Sequence, residues 1–277
     1  MRFCRLFSWA FFLSLSVLGS GAALAADKPL SFHAHNDYEH TRPLLDALDA
    51  GFSSVEADVW SFWDGLFVSH FPFFGKSGPL ESWYLDPWFK TQESKFAPNW
   101  KNLWIDIKGP GDRVERELSR RLVQLARSIR TGSNRPLIVL TGDSKMKRTL
   151  ASESVGWTKD QSAFLQRDAN AISRSDPPWR GAADPWRWYS LPWSNFFSWD
   201  GRGCIPRVQW KRMKDQVALA HLKKRKIRYF HAPGTVEWVW VARSVDLDLI
   251  DLDDLSLAAA SVRPLLKSEA SICRSKE

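Results

Sequence analysis

The chain has 277 residues, with 39 Lys and Arg against 31 Asp and Glu, and a formal charge of +8. That length suits one large α/β domain or two small ones, and the moderate positive charge favours anionic partners. The basic residues are dispersed and no nucleic-acid-binding module is present, which sets nucleic acid aside, and no pair of cysteines has the spacing of a zinc site.

Arg2 and Arg5 open a short basic start, followed by an apolar run over residues 6–18 and small residues leading to Ala23-Leu24-Ala25. This pattern predicts a signal peptide over residues 1–25 and an exported chain, periplasmic or secreted, that starts at Ala26. The apolar run is shorter than the roughly 20 residues a membrane-spanning helix needs. Losing Arg2 and Arg5 takes the charge from +8 to +6. Cys204 and Cys273 then remain; they suit an oxidising compartment, and their pairing stays open at this level.

Residues 30–35 read as a short strand, and residues 42–50 carry helical apolar spacing that Gly51 ends. Residues 53–59 and 66–70 read as two strands joined by a turn at Asp64-Gly65. A third apolar strand, residues 102–108, is halted by Gly109-Pro110-Gly111, and residues 112–130 follow with helical periodicity and alternating charge. Residues 136–141 are almost wholly apolar, as in a buried parallel sheet. Residues 173–203 are rich in Pro, Trp, Ser and Arg and predict long loops with short elements. The chain has 16 tryptophans, and those of this segment have two readings: packing that pins the loops, or a wall for a lipid or sugar head group. Beyond it, residues 205–224, 235–243 and 255–267 predict helices, and residues 226–230 and 247–252 strands. Strands alternating with helices argue for parallel βαβ units, and at this length first for a (β/α)8 TIM-like barrel in a single domain over residues 26–277, with an open doubly wound sheet second.

The polar residues cluster at strand ends. His33 and His35 end the first strand, Glu56 and Asp58 the second, Asp106 and Lys108 the third. In a parallel barrel those ends share the rim that holds the active site. Residues two apart on a strand face the same way, so Glu56 and Asp58 converge, as do Asp106 and Lys108. Three carboxylates on one rim repel each other unless a cation neutralises them, and oxygen ligands suit Mg²⁺ or Ca²⁺. His33 and His70 are the candidate acid and base, and Lys108 a phosphate contact. His35 reads as a partner of His33 or a hydrogen bonder at the helix entry. Asn36 either caps the following helix or orients a group at the site. His231 ends a later strand on the same rim.

The runs His33-Ala-His-Asn36-Asp-Tyr, Ser54-Val-Glu-Ala-Asp-Val59, Asp64-Gly-Leu-Phe-Val-Ser-His70 and Ile105-Asp-Ile-Lys108 resemble the phospholipase C-like phosphodiesterase superfamily. The resemblance is nearest to its glycerophosphodiester phosphodiesterase-like branch, which includes the fungal "altered inheritance of mitochondria" proteins. The His-x-x-Asn spacing from His33 to Asn36 is also similar to sphingomyelinase D. The resemblance implies His33 and His70 as acid and base, Glu56, Asp58 and Asp106 as metal ligands, and Lys108 and Asn36 on substrate. Ala34, where many glycerophosphodiesterases have Arg, and Phe71, where many have Asp, depart from the pattern and bear on the substrate.

The expected activity is therefore metal-dependent hydrolysis of a glycerophosphodiester or phospholipid by a monomer able to touch a membrane surface. Two other readings compete with it: a His-x-His metallohydrolase, and an exported lipid- or glycan-binding barrel without catalysis.

Overall fold

A computed structural model describes residues 30–62, 65–72, 75, 77–90, 100–108, 112–128, 136–152, 164–181, 183–261 and 272–273. The leader, Asp64, the 109–111 stop, Trp157 and the helix ends expected past residues 128 and 261 lie outside these. Eight strands run parallel in the order β10 (Ile250–Leu252), β1 (Phe32–Ala34), β2 (Ser54–Phe62), β5 (Asn102–Ile107), β6 (Leu137–Gly142), β7 (Leu165–Ala169), β8 (Trp186–Pro192) and β9 (Lys226–Phe230). A parallel bridge between Arg228 of β9 and Leu249, just before β10, joins the two ends of this path. This one bridge brings the path round in the sense the (β/α)8 expectation requires. Two further strands, β3 (Gly65–Val68) and β4 (Gly78–Pro79), add an antiparallel flap to the long β2.

Side-chain parity separates two interiors. Val55, Ala57, Val59, Leu103, Ile105, Ile107, Ile138, Leu140, Tyr189, Leu191, Ile227 and Tyr229 face outward into the main core under the helices. The alternate residues face into the barrel. There Trp104, Val139, Trp188 and Leu249 form a separate buried cluster, the apolar floor of the ring. Two residues further along the same strands come Asp106, Thr141, Ser190 and Asp251, so each strand passes from an apolar to a polar inner layer toward its C-terminal end.

The helices α3 (Asp112–Ser128), α4 (Ser144–Ser152), α5 (Arg207–Leu222) and α6 (Val236–Ser244) follow strands as expected of βαβ units. Their starts are fixed locally: the Asp143 carboxylate accepts from Lys145 N and Met146 N at 2.9 and 2.7 Å, and Thr235 Oγ1 accepts from Trp238 N at 3.1 Å. The helix expected over residues 42–50 is shorter, α1 (Leu45–Asp49), because Leu44 adopts φ 66° while its N–H donates to the buried Asp37 carboxylate at 2.6 Å.

The sequence reading missed two barrel strands, β7 and β8. The second lies inside the segment expected to be loop. Its tryptophans pack rather than display: Trp188 lies in the barrel, and Trp193 and Trp199 are buried in the outer core. Among the described residues no tryptophan lines the cleft at the strand ends. Cys204 and Cys273 are disulfide-bonded, and beside them Ile272 bridges Ile205, which ties the C-terminal segment to the entry of α5.

Candidate active site

A cleft of about 460 Å³ opens at the C-terminal ends of the strands, lined by His35, Asn36, Glu56, Asp58, His70, Asp106, Lys108, Thr141, Asn170, Arg228, Phe230 and His231 among others. Its floor follows from register. Asp58 pairs in β2 with Asp106 in β5, and Glu56 stands two residues below Asp58 on the same face. One ligand oxygen from each of the three carboxylates lies within 4.8 Å of the others. Gly142 of β6 makes room for this: at φ +81°, a Cβ there would sit 2.0 Å from Asp106 Oδ1.

His70 reaches the same place through the flap. Ser69 N donates to Asp58 O at 3.1 Å, which brings the next residue, His70, to within 3.4 Å of Asp58 Oδ2 through its Nδ1. The Tyr38 hydroxyl lies 2.9 Å from Asp58 Oδ2, 2.8 Å from Asn36 Oδ1 and 3.3 Å from His70 Nδ1. It has one proton, so it serves one acceptor at a time and links all three groups. Asn36 holds the left-handed conformation, φ 49°, that Asn tolerates best after Gly, and this turns its side chain into the cleft.

The charges are unevenly compensated. Burial works against ionised Glu56, but the Arg228 guanidinium, 3.3 Å away, and His35 outweigh it and hold its carboxyl well below the usual range. Burial, Glu56 and Asp106 push Asp58 up to about 8, although Lys108 Nζ lies 3.4 Å away. Burial and Glu56 also raise Asp106, which Lys108 contacts at 2.6 Å. Lys108 in turn is raised, because the two aspartates outweigh its own burial.

Among the described residues, Glu56 Oε2 and Asp106 Oδ1 are buried without a hydrogen-bond partner. Orphaned buried oxygens are costly unless a cation takes them. Opposed oxygens around Mg²⁺ or Ca²⁺ stand about 4–5 Å apart. The three carboxylates therefore fit a hard divalent ion in spacing, donor type and unmet charge.

The two histidines of the first strand part company. His35 lines the cleft, with Nδ1 2.7 Å from Asp253 Oδ1 and Nε2 3.6 Å from Glu56 Oε2. Burial disfavours its charge, but Glu56, Asp253 and Asp251 prevail and push it up to about 10. His33 lies below, fully buried at 0% exposure, with Nδ1 2.8 Å from Ser54 Oγ. Burial and the nearby Arg228 lower its pKa, so it is neutral. His33, expected as an acid/base group, is thus sealed inside the barrel and does not line the cleft, with Nε2 3.8 Å from Glu56 Oε2. The parity that aims Glu56 and Asp58 upward also explains it, since β1 ends at Ala34 and His35 is the first residue clear of the ring.

Sequence reasoning missed a second set of residues. Arg228 lies flat on Trp104, 3.9 Å from its ring centroid, and reaches Ser190 Oγ at 2.8 Å, Glu56 at 3.3 Å and Asp251 at 3.4 Å. On the far wall, buried Lys147 contacts Asp168 at 2.5 Å and Asn170 at 2.7 Å, while Thr141 donates to Asp168 at 2.8 Å. Only pairing with a carboxylate signals such residues, and their partners are distant in sequence. His231 is brought to the cleft as its place on the rim suggests, its ring 5.3 Å from that of His35.

Known proteins resemble this chain in part of its sequence and in its fold. Residues 23–102 match the AIM6-like phosphodiesterase domain, a span that holds His35, Glu56, Asp58 and His70 and ends before Asp106. A curated relative, altered inheritance of mitochondria protein 6 homolog of Arthroderma benhamiae, is 31% identical over 111 residues, 31% of this chain and 35% of its own. The chain thus spans about a third of the length of that relative. In fold, a glycerophosphodiester phosphodiesterase from Parabacteroides distasonis is similar over 85% of this chain and 97% of its own, with TM-score 0.53 and 14% identity. One from Agrobacterium tumefaciens is similar over 84% and 99%, with TM-score 0.49 and 15% identity, too distant to add to the argument. Residues 23–102 are thus similar in sequence to the AIM6-like phosphodiesterase domain, and the barrel is similar in fold to that of the Parabacteroides distasonis protein.

Proposed function

We propose that the chain is a phosphoric diester hydrolase that uses a divalent cation, Mg²⁺ or Ca²⁺, held by Glu56, Asp58 and Asp106. One observation carries this: three carboxylates, two of them buried and one half-buried, with oxygens within 4.8 Å of one another, on the floor of a cleft walled by three histidines, His35, His70 and His231. A bound cation would neutralise the carboxylates and polarise a phosphoryl oxygen. The chain's own groups then do the rest. Lys108, whose Nζ lies 2.6 Å from Asp106 and 3.4 Å from Asp58, is a point charge for a second phosphate oxygen. Asn36 offers an amide at the same wall. His35 is charged at neutral pH and donates from Nε2 to the leaving oxygen, while Asp253 holds its Nδ1–H. His70 accepts the proton of the attacking hydroxyl. Sequence resemblance implies this pair of roles for His33 and His70; our reading gives the first to His35, which lines the cleft where His33 does not.

The His-x-His reading loses ground because His33 Nδ1 is taken by Ser54 and the ring lies outside the cleft. Export is part of the proposal as well. The Cys204–Cys273 disulfide supports it, since such bonds persist in oxidising compartments. Among the described residues no helix is long and apolar enough to cross a membrane.

The test is hydrolysis of bis-p-nitrophenyl phosphate and of glycerophosphodiesters with Mg²⁺, Ca²⁺ or EDTA. Cleavage should require metal and fall by about a hundredfold or more in His35→Ala and His70→Ala. Full activity in EDTA, or in either variant, would overturn the assignment.

A further inference from the structure

One buried ion pair lies beside the cleft and has no part in the reaction above. Lys147, on α4, is 2% exposed, and its Nζ lies 2.5 Å from Oδ1 of the fully buried Asp168. As an ion pair the two carry no net charge, and neither lines the cleft. A second contact links them to it. Lys147 Nζ donates to Asn170 Oδ1 at 2.7 Å, and Asn170, just past β7, does line the cleft. An ammonium has donors only, so the atom that faces it is the amide oxygen. The Nδ2 group of Asn170 is therefore turned off the lysine, and among the described residues it meets no partner. Thr141, a neighbouring cleft residue, gives its hydroxyl proton to Asp168 at 2.8 Å and so presents lone pairs. Beside it, Asn170 is the donor.

We infer that Asn170 donates its amide to an acceptor oxygen on one arm of the bound diester, and that Lys147 is the positioning residue that fixes the amide for this contact. The inference rests on the phosphodiesterase reading above and adds a specificity residue to it. Register separates the contact from the phosphate. Asp106 pairs with Thr141 and Leu140 with Arg167, so Asp168 comes level with Thr141 and Asn170 stands one pleat higher. Strands β5 and β7 are two spacings apart, about 10 Å at the backbone. A phosphate on the three carboxylates is met by Lys108, and an oxygen that reaches Asn170 belongs to an arm of the diester. A donor held in place before the ligand arrives loses little freedom on binding. An arm of hydrocarbon alone covers Nδ2 without pairing it, and the site disfavours such an arm.

The experiment compares kcat/KM for two p-nitrophenyl diesters with the same leaving group, one with a glycerol arm and one with a propyl arm, in Mg²⁺ or Ca²⁺. Wild type should favour the glycerol arm, and Asn170→Leu, which keeps the bulk without the amide, should reduce the ratio of the two values about tenfold. A role confined to holding Lys147 would lower both values together, so an unmoved ratio overturns the inference while leaving the hydrolase reading intact. Lys147 is tested by Lys147→Met with Asp168→Leu in one chain, which removes the pair without leaving a buried charge. That variant should lose the preference as Asn170→Leu does, and a wild-type ratio overturns the positioning role. If it does not fold, the side-chain amide signal of Asn170 in wild type, assigned by its loss in Asn170→Leu, decides by NMR relaxation. An amide as ordered as the backbone supports the role of Lys147, and a mobile one overturns it. If wild type cleaves neither diester, the hydrolase reading fails first, and the same signal is followed as glycerol 3-phosphate is added with metal. A saturable shift supports the donor contact; no shift overturns it.

Discussion

The two halves of the barrel differ in what they give the site. Strands β1, β2, β5 and β6, with the flap, bring groups that can meet a substrate: His35, Asn36, Glu56, Asp58, His70, Asp106 and Lys108. Strands β7 to β10 bring mostly groups that hold others: Arg228 on Glu56 and Asp251, Asp168 on Lys147, and Asp253 just beyond β10 on His35. The first half gathers the three carboxylates Glu56, Asp58 and Asp106. The second half carries the fixed countercharge that lets them be buried. A reactive cluster can be short in sequence, but its electrostatic support comes from across the ring.

Arg228→Met is the sharpest way to break that division. Met keeps the bulk over Trp104 but leaves Glu56 and Asp251 buried without their cation. Removing one partner of a buried ion pair costs about 3–5 kcal/mol. Metal-free protein should therefore lose about that much stability in denaturant unfolding, and Mg²⁺ or Ca²⁺ should recover part of it by supplying the missing charge to Glu56. An Arg228→Met variant as stable as wild type in EDTA would mean that the second half is not the counterweight.

The same asymmetry explains what the sequence made legible. Glu56 with Asp58 and Asp106 with Lys108 are two apart on apolar strands, so parity and strand order alone converge them. Residues 102–108 and 136–141 announce β5 and β6 because their outward faces are aliphatic. In β7 and β8 the inward and outward residues include Gln166, Arg167, Asp168, Arg187 and Ser190, which breaks the apolar signature. Burial of these groups rests on partners such as Arg228 with Ser190, 38 residues apart. The sequence alone does not separate His33 from His35, which are the same residue type two apart on one strand face. Only the end of β1 at Ala34 decides which of the two clears the ring.

Asp253 offers a finer cut between reactive and supporting groups. It is largely exposed, so its removal should not unfold the protein, and its one resolved side-chain contact is Nδ1 of His35 at 2.7 Å. The His35 hydrogen bond also holds the Asp253 carboxyl below its usual range. Loss of an orienting carboxylate behind a functional histidine costs about tenfold to a hundredfold in activity. Asp253→Ala should lower kcat by that factor with little change in KM, and Asp253→Asn, which retains an acceptor oxygen, should lose less. Equal losses in the two variants would show that charge alone matters; no loss would remove Asp253 from the site.

The smallest effect is graded, and it reports the proton–cation exchange at the floor. Asp58 titrates at about 8 in the folded chain against 3.8 unfolded, so between these values the folded state holds a proton that the unfolded state has lost. Stability of metal-free protein therefore falls as pH rises from about 4 to 8 on account of this group. His35, raised from 6.5 to about 10, adds to the trend: its stabilisation is full below 6.5 and is lost as pH rises through 10. A divalent ion has to displace the Asp58 proton, so its affinity should weaken below pH 8 by at most about tenfold per pH unit and level off above. Thermal melts in EDTA and in excess metal across pH 6 to 9 should diverge as pH rises, because the cation replaces the protons being lost. Parallel curves would place the cation away from Asp58, and the three carboxylates of the first half would then need another source of neutralisation.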